Sequence, residues 1–230
     1  MITQPAGRKF LVTTILLALT TVAHSALAED VAGKLSKLGQ TKTTLFGIEA
    51  TGSSFLYVFD RSGSMSVPDG KPLKAAKEEL LRSLDTLNEV QQFQIIFYNE
   101  TPSMFAPTRQ RGGLIFGREN NRDEAKAFVE GVKASGGTKH VDALIMAVKL
   151  KPDAIFLLTD GDDHDDMTDE EIERVVKLNT GGSRIYVIQC SPADQNQGNH
   201  LVKLAEQTAG KHVYREITKP AEKKEPAKKE

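Results

Sequence analysis

Only one cysteine, Cys190, occurs in the 230-residue chain. A disulfide framework is therefore excluded, and the folded part must stand on its hydrophobic core alone. Cys190 ends an apolar run, which suits a small buried hydrophobe better than a reactive thiol. An excess of one charge is lacking as well: 30 Lys and Arg meet 31 Asp and Glu. No run of Lys or Arg interleaved with aromatics interrupts the periodic region, which argues against a nucleic-acid binder and its basic patch. Three catalytic signatures are also missing. There is no phosphate-binding G-x-x-x-x-G-K-S/T, no zinc-binding H-E-x-x-H, and neither Ser62 nor Ser64 sits in a G-x-S-x-G elbow. What is present, 39% hydrophobic and 27% charged residues, is the make-up of an ordinary globular protein with material for a sizeable core.

The two ends differ from the middle. Arg8 and Lys9 precede the apolar stretch "FLVTTILLALTTVA", and Ala26-Leu27-Ala28 forms a small-residue exit before Glu29. Residues 1–28 therefore read as a cleavable signal peptide, which makes the mature chain an exported protein, periplasmic or secreted. An uncleaved N-terminal membrane anchor is the alternative. Against it, Phe10 to Ala28 is a marginal length for a bilayer, and four threonines dilute it. Residues 29–42 form a polar linker. Residues 218–230 hold two prolines and no aliphatic side chain larger than Ala, so they cannot bury enough to offset their ordering entropy. They read as a disordered Lys/Glu/Pro tail, leaving one folded domain over 43–217.

Within that domain, apolar runs of strand length recur at Phe55–Asp60, Phe93–Tyr98, Ala154–Asp160, Arg184–Cys190 and His212–Ile217. Most are apolar on consecutive positions, the pattern of strands buried on both faces of a parallel sheet. "TTLFGIEA" (43–50) and "SMFAP" (103–107) read as shorter, edge-type strands. Between the runs, apolar residues recur at helical spacing: Leu73, Ala76, Leu80, Leu84 and Leu87; Ala125, Phe128, Val129 and Val132; Val141, Leu144, Ile145 and Val148; Ile172, Val175 and Val176; Leu201, Leu204 and Ala205. Thr168 and Glu171 have capping-box spacing at the start of a 169–179 helix, and Pro72 suits a first helical turn. The alternation predicts an α/β fold: a doubly wound, mostly parallel sheet flanked by helices on both faces, with a short antiparallel edge strand. In such sheets ligands collect beyond the carboxyl ends of the strands, where the loops converge.

Three oxygen-rich segments fall at such positions. The first is Asp60-x-Ser62-x-Ser64, directly after a core strand. The second is Thr138, following Gly136-Gly137 at the start of a helix. The third is Asp160, in "LLTDG". Two carboxylates and three hydroxyls converging on one point suit a hard cation such as Mg²⁺, which takes oxygen ligands in near-octahedral geometry. The alternating D-x-S-x-S spacing lets a turning loop aim three side chains inward, and Gly63 permits the bend. Taken alone, D-x-S-x-S fits a polar turn with two cap-like serines equally well; Thr138 and Asp160 weigh for the metal.

D-x-S-x-S, a later Gly-Gly-Thr and a later T-D-G, in that order on this alternation, resemble a von Willebrand factor type A (VWA) domain carrying a metal-ion-dependent adhesion site (MIDAS). The resemblance spans about residues 53 to 217. "FGIEATGSSFLYVFDRSGSM" and "KPDAIFLLTDG" further resemble bacterial exported proteins of this type. The resemblance implies that Ser62, Ser64 and Thr138 are hydroxyl ligands of Mg²⁺ (or Mn²⁺). Asp60 and Asp160 would bind mainly through water, or directly when no partner is present. It also implies a vacant coordination position, completed by an Asp or Glu of a partner protein. The function expected is thus metal-dependent protein–protein interaction of the adhesion type. Two alternatives stay open: a constitutive assembly subunit with a structural metal, and a metal-dependent hydrolase. Against the enzyme, aspartyl-nucleophile phosphatases carry a second Asp two residues after the first, and here that residue is Ser62.

Other features carry less. Residues 160–171 pack eight acids into twelve positions. Asp160, Asp162 and Glu171 match an EF-hand loop, but Asp165 stands where Gly is needed and a strand precedes the run. A loose second cation site using His164 is one reading, and acids favouring the next helix N-terminus the other. His140 could act as a base near the metal, but is read as an exposed helix residue. His200 and His212 are read as surface or helix-start residues. The Gly-rich stretch 109–122, with four arginines, is read as a solvated connecting loop.

Overall fold

The computed structural model describes residues 41–110, 112–161, 167–190 and 200–216. The expectations for the signal peptide, most of the linker, the tail, and positions 162–166 of the acidic run fall outside those residues. In chain order the strands are β1 (Thr41–Leu45), β2 (Ile48–Gly52), β3 (Ser54–Asp60), β4 (Gln92–Tyr98), β5 (Pro102–Met104), β6 (Ile115–Phe116), β7 (Ala154–Thr159), β8 (Arg184–Gln189) and β9 (His212–Tyr214). The helices are α1 (Lys71–Asp85), α2 (Glu119–Gly131), α3 (His140–Lys149), α4 (Asp169–Leu178) and α5 (His200–Gln207), with a 3₁₀ turn at Gly63–Ser66. The main sheet runs β5-β4-β3-β7-β8-β9, parallel except for β5 and β6, which both pair antiparallel with β4.

Consecutive apolar residues in the strands are explained by helices on both faces. Phe55, Tyr57 and Phe59 of β3 point to one face, against α1, α2 and Leu45, Ile48 and Ala50 of the β1–β2 hairpin. Leu56 and Val58 point to the other, against α3, α4 and α5. Local signals set the helix starts. Pro72 lies in the first turn of α1, and Thr168 and Glu171 form a reciprocal capping box at α4. Residues 43–50 are not one edge strand. Phe46 and Gly47 both have positive φ (47° and 78°), closing a two-residue hairpin that forms a separate two-stranded sheet. The expected apolar run hid a turn that lacks the usual Asn-Gly signal. β7, β8 and β9 each end before the expected residue, so Asp160 and Cys190 stand just outside the sheet. Ile115 and Phe116 pair with β4 inside the stretch read as a loop.

At the amino ends of β3 and β7, opposite Asp60 and Asp160, Asp153 joins the two strands. Its Oδ2 accepts from the backbone N–H and the hydroxyl of both Ser53 and Ser54, at 2.7–3.0 Å. Gly52 permits this approach, because a Cβ there would come within 2.5 Å of Asp153 Cβ. Burial pushes the Asp153 carboxyl up, but the four hydrogen bonds outweigh it and hold it below its ordinary value. A depressed pKa means stability that is present above the unfolded value and lost as pH falls through the folded one. Asp153→Asn should therefore cost about 2 kcal/mol at neutral pH and remove part of the loss seen below about pH 4. Urea titrations at pH 3 and pH 7 check both.

Candidate metal centre

Asp60 closes β3 on the face packed by α3, α4 and α5, since it alternates in phase with Leu56 and Val58. Its side chain is fully buried. Oδ1 accepts from the Ser62 N–H at 2.7 Å and Oδ2 from the Thr159 hydroxyl at 2.8 Å. Burial pushes its pKa up to about 6, the nearby Asp160 charge adds to the rise, and hydrogen bonds from Ser62 and Thr159 hold it back. The carboxyl is thus poorly solvated, holds its proton to a higher pH than a free one, and has both oxygens engaged by the protein. A cation would meet it with lone pairs to spare but without displacing those donors.

Beyond Asp60 the chain turns sharply. Ser62 is buried and Ser64 half-buried, and their hydroxyl oxygens lie 3.0 Å apart. The loop is bolted to its neighbours through main-chain hydrogen bonds. Arg61 N–H donates to Tyr98 O, Gly63 N–H to Gly136 O, and Ser135 N–H to Arg61 O, each at 2.8 Å. Asn99, one residue past β4, ties in the 135–139 segment. Its side-chain amide donates to Ser135 O at 2.8 Å, and its main-chain carbonyl accepts from Lys139 N–H at 2.9 Å. Gly136 has φ +78°, and a Cβ there would stand 2.9 Å from Asn99 Nδ2. That close approach brings the loop carrying Thr138, itself half-buried, against the serine loop.

Asp160, half-buried, follows β7 on the strand neighbouring β3. Its charge is felt by Asp60, by the Tyr98 phenol and by the Cys190 thiol. Burial, with both carboxylates adding, pushes Cys190 well above its ordinary value, so the thiol stays protonated and packs beside the core. Among the described residues no group of three or more His, Cys, Asp or Glu could hold a metal. The donors at the strand ends are instead hydroxyl-rich. Adjacent corners of an octahedron around Mg²⁺ lie about 2.8–3.0 Å apart for bond lengths of about 2.0–2.1 Å. The Ser62 and Ser64 hydroxyls, hydrogen-bonded to each other at 3.0 Å, are spaced at about the length of such an edge, and the all-oxygen set suits a hard cation.

Sequence reasoning missed the residues that support this arrangement. Thr159 was legible as the one hydroxyl in an otherwise apolar strand. Asn99 and Tyr98 carried no local signal. His140 is not an exposed helix residue: it is 3% exposed, with Nδ1 2.8 Å from Tyr98 Oη. His212 lies half-buried in β9, bonded to Gln189 at 2.9 Å, whereas His200 does open α5, 3.3 Å from Asp169. In the 109–122 stretch, Arg122 donates to Leu87 O and Gly117 O and so anchors α2 rather than a ligand.

Comparison with known proteins agrees with the fold. A 120-residue part of the chain is 34% identical to inter-alpha-trypsin inhibitor heavy chain H4 of Bos taurus, covering 46% of this chain and 12% of that one. The chain spans only 12–17% of the length of the curated relatives it matches. Among solved structures, a von Willebrand factor type A protein from Catenulispora acidiphila aligns with a TM-score of 0.60 at 24% identity, over 74% of this chain and 41% of that one. An aerotolerance-related membrane protein from Bacteroides fragilis aligns with a TM-score of 0.53 at 14% identity, over 71% and 92%. The von Willebrand factor type A domain family itself matches over residues 56–221, which takes in β3 from Leu56 onward, the loops after β3 and β7 and the other strands of the main sheet, and the chain belongs to that family.

Proposed function

We propose that this domain, a member of a family of protein-interaction modules, binds its partner through a divalent cation at the carboxyl ends of β3 and β7. The observation that carries the reading is the pair of Ser62 and Ser64 hydroxyls, hydrogen-bonded at 3.0 Å, in the loop that directly follows the buried Asp60. Ser62, Ser64 and Thr138 would hold the ion, with Asp60 and Asp160 behind them. A bound Mg²⁺ or Mn²⁺ would supply a coordination position for the carboxylate of an Asp or Glu on the partner. Because the three hydroxyls are neutral, the chain leaves much of an ion's charge uncompensated, which favours an anionic ligand from outside. Asp60, locked by Ser62 and Thr159, keeps its charge fixed in place rather than swinging into the ligand position. Residues 1–28 support export as the setting for such binding, and among the described residues no helix is long and apolar enough to cross a membrane.

The test is a pull-down from native extract with the full chain in Mg²⁺, in EDTA, and with Thr138→Ala in Mg²⁺. Partners should be recovered in the first condition and lost in the other two, while circular dichroism shows the fold intact throughout. Equal recovery in all three would sink the reading. Global unfolding in EDTA would instead favour a structural metal in a constitutive assembly subunit. Turnover of phosphoesters dependent on Asp60 would favour a hydrolase.

A further inference from the structure

Arg61 stands between two of the segments that carry candidate ligands. It directly precedes Ser62, and its guanidinium donates from Nη1 to Ser135 Oγ and from Nη2 to Asn99 Oδ1, both at 3.3 Å. Ser135 opens the run through Gly136 and Gly137 to Thr138. The main chain fixes the same spot, because Arg61 N–H donates to Tyr98 O and Arg61 O accepts from Ser135 N–H, each at 2.8 Å. Arg61 is thus half-buried and held at the rim of the candidate metal centre.

Its charge is unanswered there. A guanidinium carries five N–H donors, and two long bonds to neutral oxygens leave three of them over. Among the described residues no carboxylate pairs with Arg61. The adjoining segment 132–139 adds exposed Lys133 and Lys139 and contains no acid. Glu100 lies over that segment, since a Cβ on Gly136 or Gly137 would stand 3.2 Å and 3.4 Å from its carboxylate oxygens. It offsets one of the three cations. On the β7 side of the centre the sign reverses, with Asp160 at the strand end and an acidic sequence after it.

We propose that Arg61 determines specificity on the partner surface by taking a second carboxylate of the partner, beside the one that completes the ion's coordination. The partner it fits is a protein segment with two acidic side chains a few residues apart, lying with the second acid toward β4. The proposal rests on the metal reading for the first acid; the basic rim that takes the second does not depend on it. A guanidinium fork meets a carboxylate through paired, charge-assisted hydrogen bonds. The bonds to Asn99 and Ser135 hold the fork in place beforehand, so little freedom is lost when an acid docks.

The experiment uses the full chain with Mn²⁺ and synthetic Gly/Ser peptides displayed at equal density on a sensor surface. One peptide carries a single Asp, and the others carry two Asp with one, two or three residues between them. The parent should hold the best paired peptide about tenfold more tightly than the single one, as expected for hydrogen bonds to a charged group. Arg61→Gln should bring that ratio close to one, and Arg61→Lys, which keeps the charge without the fork, should keep part of it. A purely structural role would weaken both peptides alike and leave their ratio unchanged. Lys139→Gln, which removes an equal charge next to Thr138, should lower the ratio less than Arg61→Gln. Circular dichroism checks that each variant is folded. No preference for any pair in the parent, an undiminished ratio in Arg61→Gln, or an equal loss in Lys139→Gln overturns the proposal, and so does retention of no peptide at all. Calorimetry with Mn²⁺ on the same sample reports on the metal separately. A preference that survives EDTA and still needs Arg61 would remove the ion and leave the basic rim standing.

Discussion

Replacing Asp60 by Asn should stabilise the metal-free protein at neutral pH while abolishing Mg²⁺ binding. The folded carboxyl titrates at about 6, against 3.8 when unperturbed, chiefly because it is buried. Between those two values the folded state holds a proton that the unfolded state has released. Metal-free stability therefore falls as pH rises through that window and stays at the lower level above it. About two pKa units correspond to about 3 kcal/mol. Asn carries no charge to desolvate and still accepts from the Ser62 N–H. Its amide group faces the Thr159 hydroxyl, which must turn its proton elsewhere, so a net gain of about 1–3 kcal/mol is expected. Urea titrations in EDTA should show the parent less stable at pH 7.5 than at pH 5, and Asp60→Asn nearly level between them. Calorimetry with Mg²⁺ should show binding to the parent only. A variant less stable than the parent at pH 7.5, or one that still binds Mg²⁺, would contradict this account of the site.

Phe156→Ala should cost about 3–5 kcal/mol, the upper range for emptying a core position. Phe156 is fully buried at the centre of a row of rings crossing three strands. It stacks on Tyr57 of β3 at 5.7 Å and on Tyr186 of β8 at 5.5 Å. Truncation would remove one aromatic from between two others, and the flanking strands cannot close the gap without breaking their ladders. Phe156→Leu, which keeps most of the volume, should cost less than half as much. Equilibrium urea unfolding compares the two. Near-equal losses would mean that the ring stack contributes little beyond filled volume, and a loss under about 1 kcal/mol for Ala would show that the site collapses freely.

How much could be read from residues alone differed by element. β3, β4, β7 and β8 were legible because burial on both faces leaves unbroken apolar runs. α4 was legible because its capping box is a local, three-residue signal. The β1–β2 hairpin was not, because Phe46 and Gly47 are apolar and small rather than polar turn residues, and the hairpin is held by its inward face. Asp60, Ser62, Ser64 and Asp160 stood out in the sequence because an apolar strand changes abruptly there to oxygen-bearing side chains, and Thr138 because it follows two glycines just before a helix. His140 was misjudged because a helix start ordinarily faces water, and its burial comes from Tyr98, forty-two positions earlier.

The sequence by itself determined the alternating α/β order, which strands are interior, and which oxygen-bearing residues end them, since all of these follow from periodicities within about ten residues. The tertiary structure alone decided which of those residues share one end of the sheet, and what stands behind them. Thr159 and Asp60 meet across ninety-nine positions because β3 and β7 are neighbours in the sheet. No local pattern encodes such a neighbour, because strand order is settled by the packing of whole faces against helices. The orientation of the Asp60 carboxylate depends on that neighbour.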